Sequence, residues 1–190
     1  MKAIHLNIEG LSLSKERDYI YQHEGYLLYD SRILDWVKEY SHLLSTFESK
    51  LKPKLKGNVH TDEVVVKVKG KHHYNIASID SKTKYVVAGT FTKKRSKEKC
   101  WEHFGKLKAK IGEQVEEIWE TEKNKPPDER KLAKFVSDGF ENYRNGFNYH
   151  FYRVAELKFG VPIASKKFGL EHNNNPIERH NEDFKQRYKV

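Results

Sequence analysis

A chain of 190 residues with 37% hydrophobic and 13% aromatic content can bury one substantial core, which excludes an intrinsically disordered polymer. It has no apolar run of the roughly 18 residues that a membrane-spanning helix needs; its first residues lack the basic-then-apolar pattern of a secretion signal; and its one cysteine, Cys100, excludes an internal disulfide or a cysteine-based zinc site. The net charge of +9 favours a polyanionic partner through counterion release, although a protein that is simply basic would read the same way.

Residues 14–24 and 30–46 are predicted helices separated by Gly25. The second begins at Asp30 or Ser31, both good N-caps. It places Ile33, Val37, Tyr40 and Leu44 on one stripe, with Leu34 and Trp36 near its edges. Helix, glycine-bearing turn, helix is the outline of a helix-turn-helix DNA reader and equally of any helical hairpin. The stretch SKLKPKLKGN (49–58) is basic and marked by Pro and Gly, so the expected boundary lies there. The division is a helical segment over 1–50, a linker over 51–57 and a second domain over 58–190.

The second domain opens with alternation. In TDEVVVKVKG, Asp62, Val64, Val66 and Val68 share one face, and Val65, Lys67 and Lys69 the other. HHYNIASID, the turn SKTK and YVVAGTF complete a predicted three-strand antiparallel meander. Ser96 can cap a helix carrying Cys100, Phe104, Leu107 and Ile111, followed by a polar helical continuation and a loop at KPPDER. KLAKFVSDG is a short apolar strand ending on Asp138 and Gly139. A helix through Tyr143 and Phe147, a strand near Val154–Leu157, a loop marked by Gly160, Pro162 and Gly169, and a final helix follow. Antiparallel strands succeeded by βαβ crossovers imply a mixed α/β sheet with helices on its faces.

Three acids stand out. Asp62 shares a strand face with three valines, where a lone carboxylate is costly to bury. Asp138 ends an apolar strand, the position at which open α/β sheets place their ligand crevices. Glu178 lies in HNNNPIERHNEDFKQR (172–187), where Asn175 can be an N-cap, Pro176 the first helical residue and Glu178 the third, a capping-box arrangement. Each acid alone reads equally well as a strand-edge, turn or capping residue. Together, on a first strand, a later strand and a following helix, they can converge, and converging carboxylates repel unless divalent cations lie between them. Oxygen ligands suit Mg²⁺ or Mn²⁺. Two ions ~3.5–4 Å apart would activate an attacking oxygen and stabilise a leaving one at a phosphodiester. Lys185 falls on the Glu178 face, about 10 Å along the helix. There it could hold a phosphate, or be a solvated cation paired with Glu182. His60, His72, His73, His172 and His180 lack metalloenzyme spacing; His60 reads better as a group supporting Asp62 or facing DNA.

HTDEVVVKVKGKHHYNIASIDSKTKYVVAGTFTKKRS, KFVSDGFENY and NNNPIERHNEDFKQRYK, in that order, resemble the D-D-E transposases of prokaryotic insertion sequences, over residues 58–190. Their catalytic domain has the RNase H-like fold shared with retroviral integrases. The resemblance implies metal-dependent cleavage at transposon ends and strand transfer into target DNA. It matches Asp62, Asp138 and Glu178 to the catalytic, metal-holding acids and Lys185 to the basic residue seven positions after the glutamate. Arg179 and Arg187 join Lys185 as expected DNA contacts. SRILDWVKEYSHLL resembles the recognition-helix region that precedes such domains. The resemblance further implies two Mg²⁺ or Mn²⁺ ions, transposon-end and target DNA as partners, a homodimer or larger synaptic assembly, no membrane partner and a cytoplasmic, nucleoid-associated location. Related proteins commonly start further upstream and continue past the glutamate helix. A nuclease that cuts without joining, or a truncated DNA-binding relic, is therefore the alternative.

Overall fold

The computed structural model describes residues 2–160 and 175–188; the predicted loop around Pro162, Gly169 and His172 lies outside them. The chain divides into two compact units, Met1–Leu51 and Lys52–Gln186.

The first unit holds α1 (Lys2–Ile8), α2 (Leu13–Glu24) and α3 (Asp30–Ser49). Ala3, Ile20 and Ile33, one from each helix, are buried together, with Leu6, Leu13, Leu28, Trp36 and Val37 around them. Gly25 ends α2 in the left-handed region at φ 72°, and its N–H bonds the Tyr21 carbonyl at 3.1 Å, a glycine C-cap. The stripe expected on α3 is only half covered within the unit: Ile33 is buried, but Leu44 is exposed, as are Leu43 and Phe47.

In the second unit β1 (Val59–Val68), β2 (Lys71–Asp80) and β3 (Val86–Thr92) form the antiparallel meander. α4 (Lys97–Glu122), β4 (Ala133–Ser137), α5 (Glu141–Phe151), β5 (Ala155–Phe159) and α6 (Asn175–Tyr188) follow. The sheet order is β3-β2-β1-β4-β5, with β1, β4 and β5 parallel. This is the mixed arrangement expected: three antiparallel strands, then crossovers that carry the chain across β1.

Strand alternation sorts the two faces of the sheet. Val59, Ile76, Val87 and Phe135 pack against α4 and α5 through Cys100, Phe104, Leu107, Ile111, Val115, Tyr143, Phe147 and Phe151. The predicted stripe of α4 is thus wholly buried. Ala77 and Ile79, with Val86 beside them, turn the other way and bury Ile177 of α6. The sheet therefore lies between α4–α5 and α6.

Near the sheet, burial brings polar groups with partners. Thr61 and Ser78 share a hydrogen bond of 2.6 Å across β1 and β2, and Ser78 meets His103 Nε2 at 2.7 Å. Thr90 meets the other ring nitrogen at 3.1 Å. Burial pushes His103 down to about 3, so its ring is neutral and both nitrogens are used.

α4 and α5 touch at Gly146, where an added Cβ would lie 2.7 Å from Phe104 Cδ2 and 3.1 Å from the Cys100 carbonyl oxygen. Gly146→Ala is accordingly expected to lose about 1–2 kcal/mol, overpacking outweighing the helix propensity of alanine. The check is a thermal midpoint several degrees below wild type.

Candidate active site

β4 pairs with β1 only at Val59↔Phe135, His60↔Val136 and Thr61↔Ser137. The next residue on each strand is an acid: Asp62 on β1 and Asp138 just past the end of β4. Both stand where two parallel strands part, the kind of position at which open α/β sheets carry their ligand crevices. One ligand oxygen each from Asp62, Glu63 and Asp138 lies within 4.8 Å of the other two. Among the described residues this is the only cluster of metal-ligating side chains, and no histidine belongs to it.

The three acids differ in what they already hold. Asp138 Oδ1 accepts the Phe140 N–H at 3.2 Å, which fixes the turn after β4. Glu63 faces the α4–α5 side, where one oxygen is ion-paired to Arg95 and the other accepts the Tyr143 hydroxyl. Arg95 is held in turn over the Phe140 ring, 4.0 Å from its centroid. Burial, then the charge of Glu63, pushes the Tyr143 phenol well above its ordinary value, so it stays a donor. Glu63 therefore braces the turn that carries Asp138 and has less to offer an ion than its neighbours.

Asp62 turns to the opposite face, towards α6. Burial raises its carboxyl to about 6, against a lowering backbone hydrogen bond, and the charges of Glu63, Asp138 and Glu178 raise it further. Its Oδ2 accepts the Asn181 side-chain N–H at 3.0 Å. The other end of that amide, Asn181 Oδ1, is buried with no partner, and so is Ser137 Oγ at the end of β4. A raised carboxyl, an orphaned amide oxygen and a set of oxygen-only donors fit a hard divalent cation.

Glu178 is half-buried on α6 and outside the 4.8 Å group, yet close enough for its charge to reach Asp62. Its own carboxyl is raised by burial and by Glu182. The helix begins at Asn175, one residue before a cap at Asn175 would start it. Arg179 and Lys185 are exposed, and neither is ion-paired among the described residues, so the Glu182 pairing considered for Lys185 does not form. The Arg187 side chain lies outside the described residues. His60 is 2% exposed, which leaves it no surface to turn to DNA.

Sequence reasoning missed Asn181, Glu63 and Arg95. Asn181 had a signal, since it sits three residues after Glu178 on the same helical face. Asp80, also buried and acidic, is no part of this site. Burial would raise it, but its oxygens accept the backbone N–H groups of Lys56, Gly57, Lys82 and Thr83, which hold it below its ordinary value.

Residues 56–140, which include Asp62 and Asp138, match a family model described as a DDE domain. No curated protein matches the chain. Among solved structures, a chain of the simian T-cell lymphotropic virus intasome, in complex with the PP2A regulatory subunit B56 gamma, aligns at 9% identity with a TM-score of 0.41. That alignment covers 72% of this chain and 41% of the viral one, so this chain spans about two fifths of its length. The HTLV-2 integrase catalytic core domain, in complex with magnesium and in dimeric form, aligns at 9% identity with a TM-score of 0.38, covering 72% of each chain.

Proposed function

We propose, from a chain whose residues 56–140 match a family model described as a DDE domain, an enzyme that cleaves DNA at transposon ends and joins the freed ends to target DNA. The observation that carries the proposal is the meeting of Asp62 and Asp138 where β1 and β4 part, inside the matched region.

Asp62, Asp138 and Glu178 would hold two divalent ions, Mg²⁺ or Mn²⁺. When bound, the ions would supply a low-pKa attacking oxygen and charge stabilisation for the leaving one. The chain's own residues do the rest. Asn181 fixes the orientation of the Asp62 carboxylate, and the turn bonded to Phe140 fixes that of Asp138. Lys185 and Arg179, exposed on α6, bind phosphates flanking the scissile one, with Arg187 a further DNA contact by resemblance. In the first step water replaces the 3′ oxygen on phosphorus and a 3′-hydroxyl is released. In the second, that hydroxyl attacks a target phosphodiester and expels its 3′ oxygen. The helices of the first unit would bind terminal-repeat DNA, and a homodimer or larger assembly would bring two ends together in the nucleoid.

The test uses the purified chain, labelled DNA carrying the inverted repeats that bracket the reading frame, Mg²⁺ and a plasmid target. Joined end–plasmid products are the expected result. Cleavage without joining would make the protein a nuclease, and specific binding with no metal-dependent cleavage would end the catalytic reading.

A further inference from the structure

Among the described residues, the outer edge of β1 has no strand partner beyond Thr61, and neither has that of β2 beyond Tyr74 towards Lys71. Residues 66–73 therefore leave the sheet as a two-stranded ribbon, closed by the two-residue turn Lys69–Gly70 at φ 50° and 76°. Such a primed turn favours Asn or Gly at its first position; here a lysine takes the left-handed conformation instead. Lys67, Lys69, Lys71 and His72 are all exposed on the ribbon, and Lys93 and Lys94 are exposed beside its root. No Asp or Glu occurs between Glu63 and Asp80, nor between Asp80 and Glu98. Among the described residues none of Lys67, Lys69, Lys71 or Lys93 is ion-paired. The root is stiffened by the His73 and Phe91 rings, stacked at 5.4 Å and 6°.

The ribbon leaves from the same edge of the sheet as the crevice, because β1 runs parallel to β4. At ~3.4 Å per residue, Lys67 lies about 17 Å along the strand from Asp62. That is roughly half a turn of B-DNA, whose repeat is about 34–36 Å.

We propose that the β1–β2 ribbon is a phosphate-gripping arm, seating the duplex backbone about half a helical turn from the phosphodiester held at Asp62 and Asp138. The inference rests on the DNA-cleaving reading above and adds to it a surface on a different element from α6. The rival role for such lysines is protection of a free strand edge against pairing with another chain. An edge guard needs charge only to repel, and its removal shows in self-association rather than in DNA affinity.

The experiment measures binding of the full chain to a fluorescent 30-base-pair duplex by anisotropy across a NaCl series. It compares wild type, Lys67→Gln/Lys69→Gln/Lys71→Gln, and a control of equal charge loss, Lys108→Gln/Lys123→Gln/Lys125→Gln on and just beyond α4. Each lost phosphate contact lowers the slope of log K against log[salt] by about 0.9, so the ribbon variant should lose roughly 2–3 from the slope and about a hundredfold or more in affinity near 0.1 M salt. The control should keep the wild-type slope, and circular dichroism should show all three folded. An unchanged slope in the ribbon variant, with or without new self-association, overturns the arm while metal-dependent cleavage by the wild type leaves the enzyme reading intact. A wild type that neither binds the duplex nor cleaves element-end DNA with Mg²⁺ overturns both.

Discussion

Asp138→Asn should lower metal-dependent cleavage about a thousandfold or more, some 4 kcal/mol of transition-state stabilisation, while DNA affinity stays within about threefold of wild type. The contrast follows from what the side chain does in the fold. Its Oδ1 accepts the Phe140 N–H at 3.2 Å, and an amide oxygen can accept the same bond, so the turn after β4 persists. What disappears is a negative charge within 4.8 Å of two other carboxylates. Glu178→Gln should behave alike, because the exposed cations of α6 and the burial of Ile177 are untouched. Glu63→Gln should differ. It removes the charge that faces Arg95, so thermal stability should fall first. Single-turnover cleavage of labelled DNA, run beside anisotropy binding, separates these outcomes. Cleavage by Asp138→Asn at near wild-type rate would remove Asp138 from the chemistry.

Asp62→Asn should make the metal-free protein more stable at pH 7.5 and less responsive to metal. A carboxyl whose folded pKa of about 6 lies above its unfolded value of 3.8 binds its proton more tightly in the native state. Ionising it therefore costs stability. The cost is fully present above about pH 6, shrinks as pH falls through 6 and is gone below about 4. The amide carries no such cost and still accepts the Asn181 N–H. The expected gain is about 1–3 kcal/mol at pH 7.5, a rise in melting temperature of several degrees, vanishing near pH 4. Mn²⁺ should reverse the order, because an ion bound by the folded state alone stabilises only the protein that can hold it. Differential scanning fluorimetry at pH 7.5 and 4.5, with and without Mn²⁺, checks both halves. An Asn variant that melts lower at pH 7.5 without metal would contradict the electrostatics argued here.

The frame of the fold was legible because its signals are periodic. The spacing of Cys100, Phe104, Leu107 and Ile111 admits only a helix with one apolar side, and all four are buried. The alternation around Val64 and Val66 likewise fixes which β1 residues share the Asp62 face. α1 was missed: at seven residues it is too short for a period to emerge. Asp138 was legible as an acid ending a strand, and Asp62 as an acid on a strand face shared with valines. Glu63 was not, since alternation sends neighbouring residues to opposite faces and makes it look remote from Asp62. Only the end of β4 at Ser137, a property of pairing between distant segments, lets oxygens from both faces approach. Arg95 was hidden in the run KKRSK, where one cation looks like the next until Glu63 and Phe140 select it.

Cys100 has a practical consequence. Its side chain is 0% exposed and burial pushes the thiol up to about 12, so no thiolate forms at neutral pH. Maleimide dyes and spin labels should pass over the native sulfur. A cysteine introduced at any solvent-facing position becomes the single attachment point, ready for distance measurements on the unaltered background sequence.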